Sequence, residues 1–84
     1  MFEIEFVAET KKFLKKIPLK DKKRIIASIE RCRIRPFPHV KKLVGCPYFR
    51  LRVGKYRIIL DIQSKKLIIL VLEIGHRRNI YKNN

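Results

Sequence analysis

The chain has 84 residues, 46% of them hydrophobic, which is enough for one small domain with a single core. Twenty-two Lys and Arg against seven Asp and Glu give a formal net charge of +15. The excess is present in both halves, +6 over residues 1–40 and +9 over residues 41–84, so it belongs to the folded surface and not to a basic tail. A surface of this kind favours polyanions, and nucleic acid is the leading class of partner.

No targeting or membrane segment is evident. The N-terminus lacks a basic region followed by an apolar stretch, as a signal peptide would have. The longest apolar run, Leu67 to Leu72, is six residues, against about 20 for a membrane span. Cys32 and Cys46 have no metal-site spacing and are expected to be thiols of a reducing compartment rather than a disulfide. We therefore expect a cytoplasmic protein with no membrane partner.

Residues 2–33 carry a strand pattern followed by two helix patterns. Phe2, Ile4 and Phe6 alternate with Glu3 and Glu5, the period of a half-buried strand. From residue 8 the apolar spacing becomes helical, and the proline at position 18 closes this short helix. A second helix is predicted from about residue 19 to residue 33. Its predicted buried stripe consists of Ile25, Ile26, Ile29 and Cys32.

The remainder is predicted to be β structure. After a loop at residues 36–47, the segments Tyr48–Val53, Tyr56–Ile62 and Leu67–Ile74 are rich in β-branched and aromatic residues. We expect a single α+β domain over residues 1–84 with the order β-α-α-β-β-β. Two N-terminal helices pack on one face of a curved, mainly antiparallel four-stranded sheet. The first strand is expected to pair with the last or a central strand.

A two-residue turn at Gly54-Lys55 would fix the register of a hairpin. One face is then wholly apolar and must belong to the core. It pairs Val53 with Tyr56, Leu51 with Ile58 and Phe49 with Leu60. The other face pairs Arg52 with Arg57, Arg50 with Ile59 and Tyr48 with Asp61.

Three arginines on that second face predict an anion site. Arg52 and Arg57 would repel each other across the strands, a cost that binding of an anion would offset. Planar guanidinium groups suit phosphate, which accepts paired hydrogen bonds. A single exposed arginine would be ordinary because its alkyl stem packs well on a strand. Three of them, with only Asp61 to balance their charge, favour phosphate binding.

The flanking segments add further candidates. Gly75 lets the chain turn out of the sheet, and His76, Arg77, Arg78 and Tyr81 follow it. Arg77 would join the site if this tail folds beside the hairpin, whereas His76 or Tyr81 alone would more often be a surface or packing residue. Lys41 and Lys42 either rim the same site or form a solvated pair of charges.

What is missing narrows the chemistry. No carboxylate cluster suits Mg²⁺, no nucleophilic triad is credible, and there is no glycine-rich phosphate loop. We therefore expect chemistry on a phosphodiester without a metal or other cofactor. RNA fits best, because its 2′-hydroxyl can attack the adjacent phosphate.

Three motif blocks resemble the RelE family, the toxins of type II toxin–antitoxin pairs. They are Lys42-Leu43-Val44-Gly45, the block from Arg50 to Arg57, and Ile74-Gly75-His76-Arg77-Arg78 with Tyr81. Each block is weak alone, but the three in this order are specific, and the resemblance covers essentially the whole chain. It implies a ribosome-dependent mRNA endonuclease that a RelB-like antitoxin neutralises. The implied partners are therefore this antitoxin, the ribosome and mRNA.

The resemblance also implies roles for individual residues. Arg50 and Arg52 stand where the best-studied type has lysines, one of them a proposed general base. Arg57 matches a phosphate-binding arginine, and Arg77 matches an arginine that stabilises the phosphate or the leaving group. Tyr81 matches a tyrosine that stacks on or activates the nucleotide. Lys41, Lys42, His76 and Arg78 are the candidates for further RNA contacts.

The departure from lysine changes the expected chemistry. A guanidinium keeps its proton above pH ~12 and is a poor base, so Arg50 and Arg52 are assigned to binding and charge stabilisation. The base would then be Tyr81, His76, a water or a ribosomal group. Two alternatives stay open, a ParE-like poison of DNA gyrase that acts through protein contacts, and an inactive relative that binds only RNA or antitoxin.

Overall fold

The part of the chain that the structure describes begins with a short strand, passes through two helices and continues into a series of strands. The computed structural model describes residues 1–76. Its elements are β1 (Glu3–Phe6), α1 (Ala8–Lys16), α2 (Leu19–Arg31), β2 (Lys41–Lys42), β3 (Phe49–Val53), β4 (Tyr56–Gln63) and β5 (Ile68–His76), with a 3-10 turn at Phe37–His39 before β2. The predicted α+β class and element order are confirmed, with β2 as an addition.

The five strands form one mixed sheet in the order β1-β5-β4-β3-β2. β1 pairs with the last strand and runs parallel to it, while the other neighbours are antiparallel. The expected four-stranded sheet is therefore one strand short. Residues 36–47 do not form only a loop, because Lys41 pairs with Arg50, Lys42 pairs with Phe49, and Leu43 N–H donates to the Tyr48 carbonyl at 3.0 Å.

Both helices pack on the same face of the sheet. Leu14 of α1 and Ile25 and Ile29 of α2 share one core cluster with inward-facing strand residues. Among those strand residues, Ile58, Leu60, Ile69 and Val71 are fully buried. Burial of this shared apolar surface is the main contribution to the stability of so small a domain.

The predicted helix boundaries are close to those observed. Ile17 is extended (φ −96°, ψ 161°), as expected for a residue before proline, and Pro18 therefore separates the two helices. α2 ends at Arg31, two residues before the predicted end. The N–H groups of Cys32 and Arg33 donate to the carbonyls three residues earlier, so the last turn tightens.

The two cysteines are free, as expected. Cys32 is buried at the C-terminal end of α2, and burial raises the pKa of its thiol, which keeps the thiol protonated and unreactive. Cys46 is partly exposed. Within residues 1–76, neither helix is long and apolar enough to cross a membrane.

Candidate nucleic-acid interface

The hairpin of β3 and β4 has the predicted turn and register. Gly54 has φ +55°, a conformation that glycine adopts without strain, and Gly54-Lys55 joins the two strands. The pairing of Val53 with Tyr56, Leu51 with Ile58 and Phe49 with Leu60 is confirmed. All six side chains face the core; Phe49 is half-buried and the other five are buried.

The opposite side of the hairpin carries the predicted arginines. Arg52 lies directly opposite Arg57, and Arg50 lies opposite Ile59. The short strand β2 extends this surface, because Lys41 is the neighbour of Arg50 on the same side of the sheet. We call Lys41, Arg50, Arg52 and Arg57 the basic sheet face. The expected pair of Tyr48 and Asp61 is not part of the ladder, which begins at Phe49.

Arg57 differs from the other members of the basic sheet face in its burial. Its side chain is only 7% exposed, whereas Arg52 is exposed and Arg50 is half-buried. Its neighbour on β5 is Gly75, which has no side chain to occupy this surface. A phosphate that reached the buried guanidinium would be shielded from water. Charge-assisted hydrogen bonds are stronger in such an environment than in water. The sequence pattern alone did not distinguish Arg57 in this way.

The positive charge occupies only part of the outer face of the sheet. Ile68 and Leu70 on β5 and Glu3 and Glu5 on β1 cover the other part. An irregularity in the pairing between Ile59 and Leu60 leaves Leu72 unpaired, so that β5 presents a further carboxylate, Glu73, opposite Ile59. An anion is therefore directed toward the β2–β4 side. Sequence reasoning missed this boundary because it could not predict the bulge.

Two of the predicted RNA-contacting residues lie on the other side of the sheet. Lys42 is paired with Phe49, and its Nζ is 5.7 Å from the centre of that ring. His76 is paired with Tyr56, and the two ring centres are 5.0 Å apart. The alternation of side chains along a strand places both residues away from the basic sheet face.

Arg77, Arg78 and Tyr81 lie outside the described residues, so their predicted roles stay predictions. Within residues 1–76, no group of three His, Cys, Asp or Glu side chains is arranged to hold a metal ion.

The family model of the ParE toxin of the type II toxin–antitoxin system parDE matches residues 4–81. The RelE1 protein of Methanocaldococcus jannaschii is 30% identical over 87 residues, which are 98% of this chain and 97% of that protein. This chain belongs to the RelE/ParE family of type II toxins. The match includes the described helices and the described strands from Ile4 onward.

Solved structures agree with this assignment. A chain of the RelB–RelE antitoxin–toxin complex from Methanococcus jannaschii is 32% identical to the toxin, with a TM-score of 0.71 over 90% of this chain and 93% of that one. A chain of the archaeal RelE–RelB complex from Pyrococcus horikoshii has a TM-score of 0.81 at 24% identity, over 90% and 94% of the two chains, and shares the fold.

A partly buried hydrogen bond joins the hairpin of the toxin to its second helix. The hydroxyl of Tyr56 donates to Oδ2 of Asp21 at 2.6 Å, and Tyr56 is 3% exposed. Burial, and then the bond to Asp21, raise the pKa of Tyr56 to about 12. Tyr56 is therefore neutral at physiological pH and holds the hairpin in place. Tyr56 was predicted as core, but nothing in the sequence indicates a partner 35 residues away.

Proposed function

We propose that the toxin is a ribosome-dependent mRNA endonuclease that inhibits translation. The observation that carries this proposal is the basic sheet face, on which a buried arginine lies directly opposite an exposed one. Arg57 would hold the phosphate to be cleaved, and Arg50 and Arg52 would stabilise the negative charge that develops on it.

The proposed reaction needs no metal ion. The 2′-oxygen of one nucleotide bonds to the adjacent phosphorus while the bond from phosphorus to the 5′-oxygen of the next nucleotide breaks. A base accepts the proton of the 2′-hydroxyl, and an acid protonates the departing 5′-oxygen. Arginine suits charge stabilisation but not proton transfer. We assign Arg77 to the phosphate or leaving group and Tyr81 as the first candidate for proton transfer.

The relatives also suggest the partner that controls this activity. Several of the matching structures, including the two described above, are complexes of RelE with RelB. We propose that a RelB-like antitoxin covers the basic sheet face and that the toxin acts in the cytoplasm, where it meets ribosomes and mRNA. An acidic antitoxin segment would complement the net charge of +15.

Primer extension on mRNA after induction of the toxin tests the proposed activity. We expect discrete cuts inside translated frames. Arg57→Gln should lower the cleavage rate by roughly 10²–10³-fold, the usual effect of removing a group that stabilises transition-state charge. Lys66→Gln, which removes one charge from the exposed β4–β5 turn, is the matched control. Intact message in arrested cells would refute the nuclease.

The same approach extends to the C-terminal segment. Arg77→Ala and Tyr81→Ala should each relieve growth arrest without loss of the fold, measured by circular dichroism. Full toxicity of both variants would refute the roles assigned to these two residues.

The match to the ParE family model favours one alternative, inhibition of DNA gyrase through protein contacts. Purified toxin would then block supercoiling by gyrase while mRNA stays intact. In that case Arg57→Gln would affect toxicity only through the loss of one positive charge, as Lys66→Gln does. The gyrase assay and primer extension on the same preparations decide between the two activities.

A further inference from the structure

A second basic surface lies around the hairpin turn, on the side of α2. A groove of about 410 Å³ runs between that helix and the end of β3. Its described lining residues include three arginines and a serine, and none of them is acidic. These polar residues are Arg24, Ser28, Arg31 and Arg52, with Ala27, Val53 and Gly54 between them.

Arg24 lies beside the hairpin turn at Gly54, which also lines the groove. The guanidinium nitrogens of Arg24 lie 3.5 and 3.6 Å from the position that a Cβ on Gly54 would occupy. These are ordinary van der Waals distances, so Arg24 lies directly against the turn, where glycine is favoured by its φ of +55° and not by a need for space. Within residues 1–76, Arg24 makes no hydrogen bond or ion pair, and its side chain lines the groove.

The neighbouring turns of α2 add donors that are already oriented. Arg24, Ser28 and Arg31 are four and three residues apart, so they share one face of the helix. Nη2 of Arg31 donates to the Ser28 hydroxyl at 3.0 Å. This bond fixes the guanidinium and leaves its other N–H groups, and the hydroxyl hydrogen of Ser28, free for an anion.

Arg52 connects the groove to the basic sheet face. Its side chain lines the groove, while its strand position places it opposite Arg57. The backbone of one RNA strand could therefore run from Arg57 around the hairpin to α2. It would meet no carboxylate along the groove, because none of the lining residues is acidic. Asp21 lines an adjacent pocket that also includes Arg24, and its Oδ2 accepts the hydrogen bond of Tyr56.

We propose that the groove between α2 and the β3–β4 turn is a second phosphodiester site, which binds RNA backbone through Arg24, Ser28 and Arg31 outside the cleavage site. The lining offers guanidinium and hydroxyl donors but no exposed apolar pocket for an anchoring side chain, which favours phosphate over an acidic protein segment. The proposal rests on the proposed function only in taking RNA as the ligand.

Binding of an uncleavable RNA tests the groove independently of cleavage. The probe is a 2′-O-methyl single strand of about ten nucleotides, within the site sizes of single-strand binding proteins. Arg24→Gln/Arg31→Gln should weaken binding by about tenfold and reduce the slope of log K against log salt by about 0.7 for each phosphate that the variant no longer neutralises. Lys12→Gln/Lys16→Gln removes the same number of positive charges, but from the exposed side of α1, and should weaken RNA binding less.

A second arm identifies the source of the phosphates. Sedimentation with ribosomes that carry no message measures binding to ribosomal RNA. Weaker binding of the free strand alone assigns the groove to message, and weaker binding of ribosomes alone assigns it to ribosomal RNA; either supports the site. Equal effects of the arginine and lysine pairs in both arms would overturn it, as would a selective loss of binding to an acidic peptide.

A conservative variant separates the loss of the guanidinium donors from the loss of charge. Arg24→Lys/Arg31→Lys keeps both charges but removes the planar donors, and should bind RNA between the wild type and the glutamine pair. Affinity equal to that of the wild type in this variant and in the glutamine pair would count against the site. A toxin that binds through the groove yet cuts no message would refute the proposed function and leave this site standing.

Discussion

Tyr56 is the residue on which the attachment of the hairpin to α2 depends. Its hydroxyl and the Asp21 carboxylate form a partly buried hydrogen bond between segments 35 residues apart. We expect Tyr56→Phe to lower the free energy of unfolding by about 1–2 kcal/mol, because the variant cannot donate to this charged acceptor. Asp21→Asn, which keeps a weaker acceptor, should cost less. Urea unfolding at neutral pH measures both, and unchanged stability of Tyr56→Phe would contradict the prediction.

The same bond predicts a dependence on alkaline pH. The pKa of Tyr56 rises from 10.0 to about 12 on folding, so folding favours the protonated hydroxyl. Its contribution is complete below pH 10 and is lost as the pH rises from about 10 to about 12. The stability difference between wild type and Tyr56→Phe should therefore shrink over that range. Comparing the two proteins cancels the titration of the lysines, and a constant difference would exclude this linkage.

Leu67 is strained in the turn between β4 and β5. It is 46% exposed and has φ +56°, a region that costs L-residues roughly 1–2 kcal/mol. Its carbonyl must keep this orientation because it accepts the Glu3 N–H at 2.8 Å and aligns β1. We expect Leu67→Gly to raise the melting temperature through a net gain of about 0.5–1 kcal/mol. Leu67→Ala removes the same side chain but keeps the strain, and should bring no such gain.

At the scale of the hairpin, charge repulsion and function are opposed. Arg52 and Arg57 face each other directly on neighbouring strands, and like charges in this position destabilise a sheet. Arg52→Thr should raise the free energy of unfolding by about 0.5 kcal/mol while lowering RNA cleavage. Lys42→Thr is the matched control, because Lys42 is an exposed strand cation that pairs with Phe49 and not with a like charge, whereas Arg50 has Lys41 beside it. A loss of stability in Arg52→Thr but not in Lys42→Thr would mean that the pair does not repel.

The elements that could be predicted are those with a local cause. The two-residue turn at Gly54-Lys55 sets the register of β3 and β4. The alternation of side chains along a strand then places Leu51 in the core and Arg52 on the outer face. β2 could not be predicted, because a strand of two residues has no periodicity. The irregularity near Ile59 also depends on packing between strands, and it determines where Glu73 lies.

The candidate site follows the same rule. The arginine face of the hairpin was predictable, but the burial of Arg57 depends on how neighbouring elements cover it. His76 was grouped with the site because it follows Gly75 in the chain. One step along a strand reverses the direction of a side chain, and the ring of His76 instead packs against Tyr56 and Phe13. The groove beside α2 was missed because it joins residues far apart in the sequence.

At the scale of the molecule, the charge of +15 should give salt two opposite effects. Seven acidic residues cannot neutralise 22 basic ones, and even an observed pair, Arg33 with Glu30 at 3.1 Å, is exposed and weak. Self-repulsion therefore opposes folding of the free toxin and is screened by salt. We expect the free energy of unfolding to rise between about 50 and 500 mM NaCl, measured by urea titration.

Binding of the proposed antitoxin should respond in the other direction. The charge that destabilises the free toxin attracts an acidic partner, so salt should weaken the complex mainly by slowing association. Surface plasmon resonance over the same salt range measures this rate, and the lysine pair on α1 provides variants of reduced charge. An association rate that stays constant while unfolding stability rises would show that the antitoxin is held by apolar contacts. The positive charge would then serve RNA binding alone.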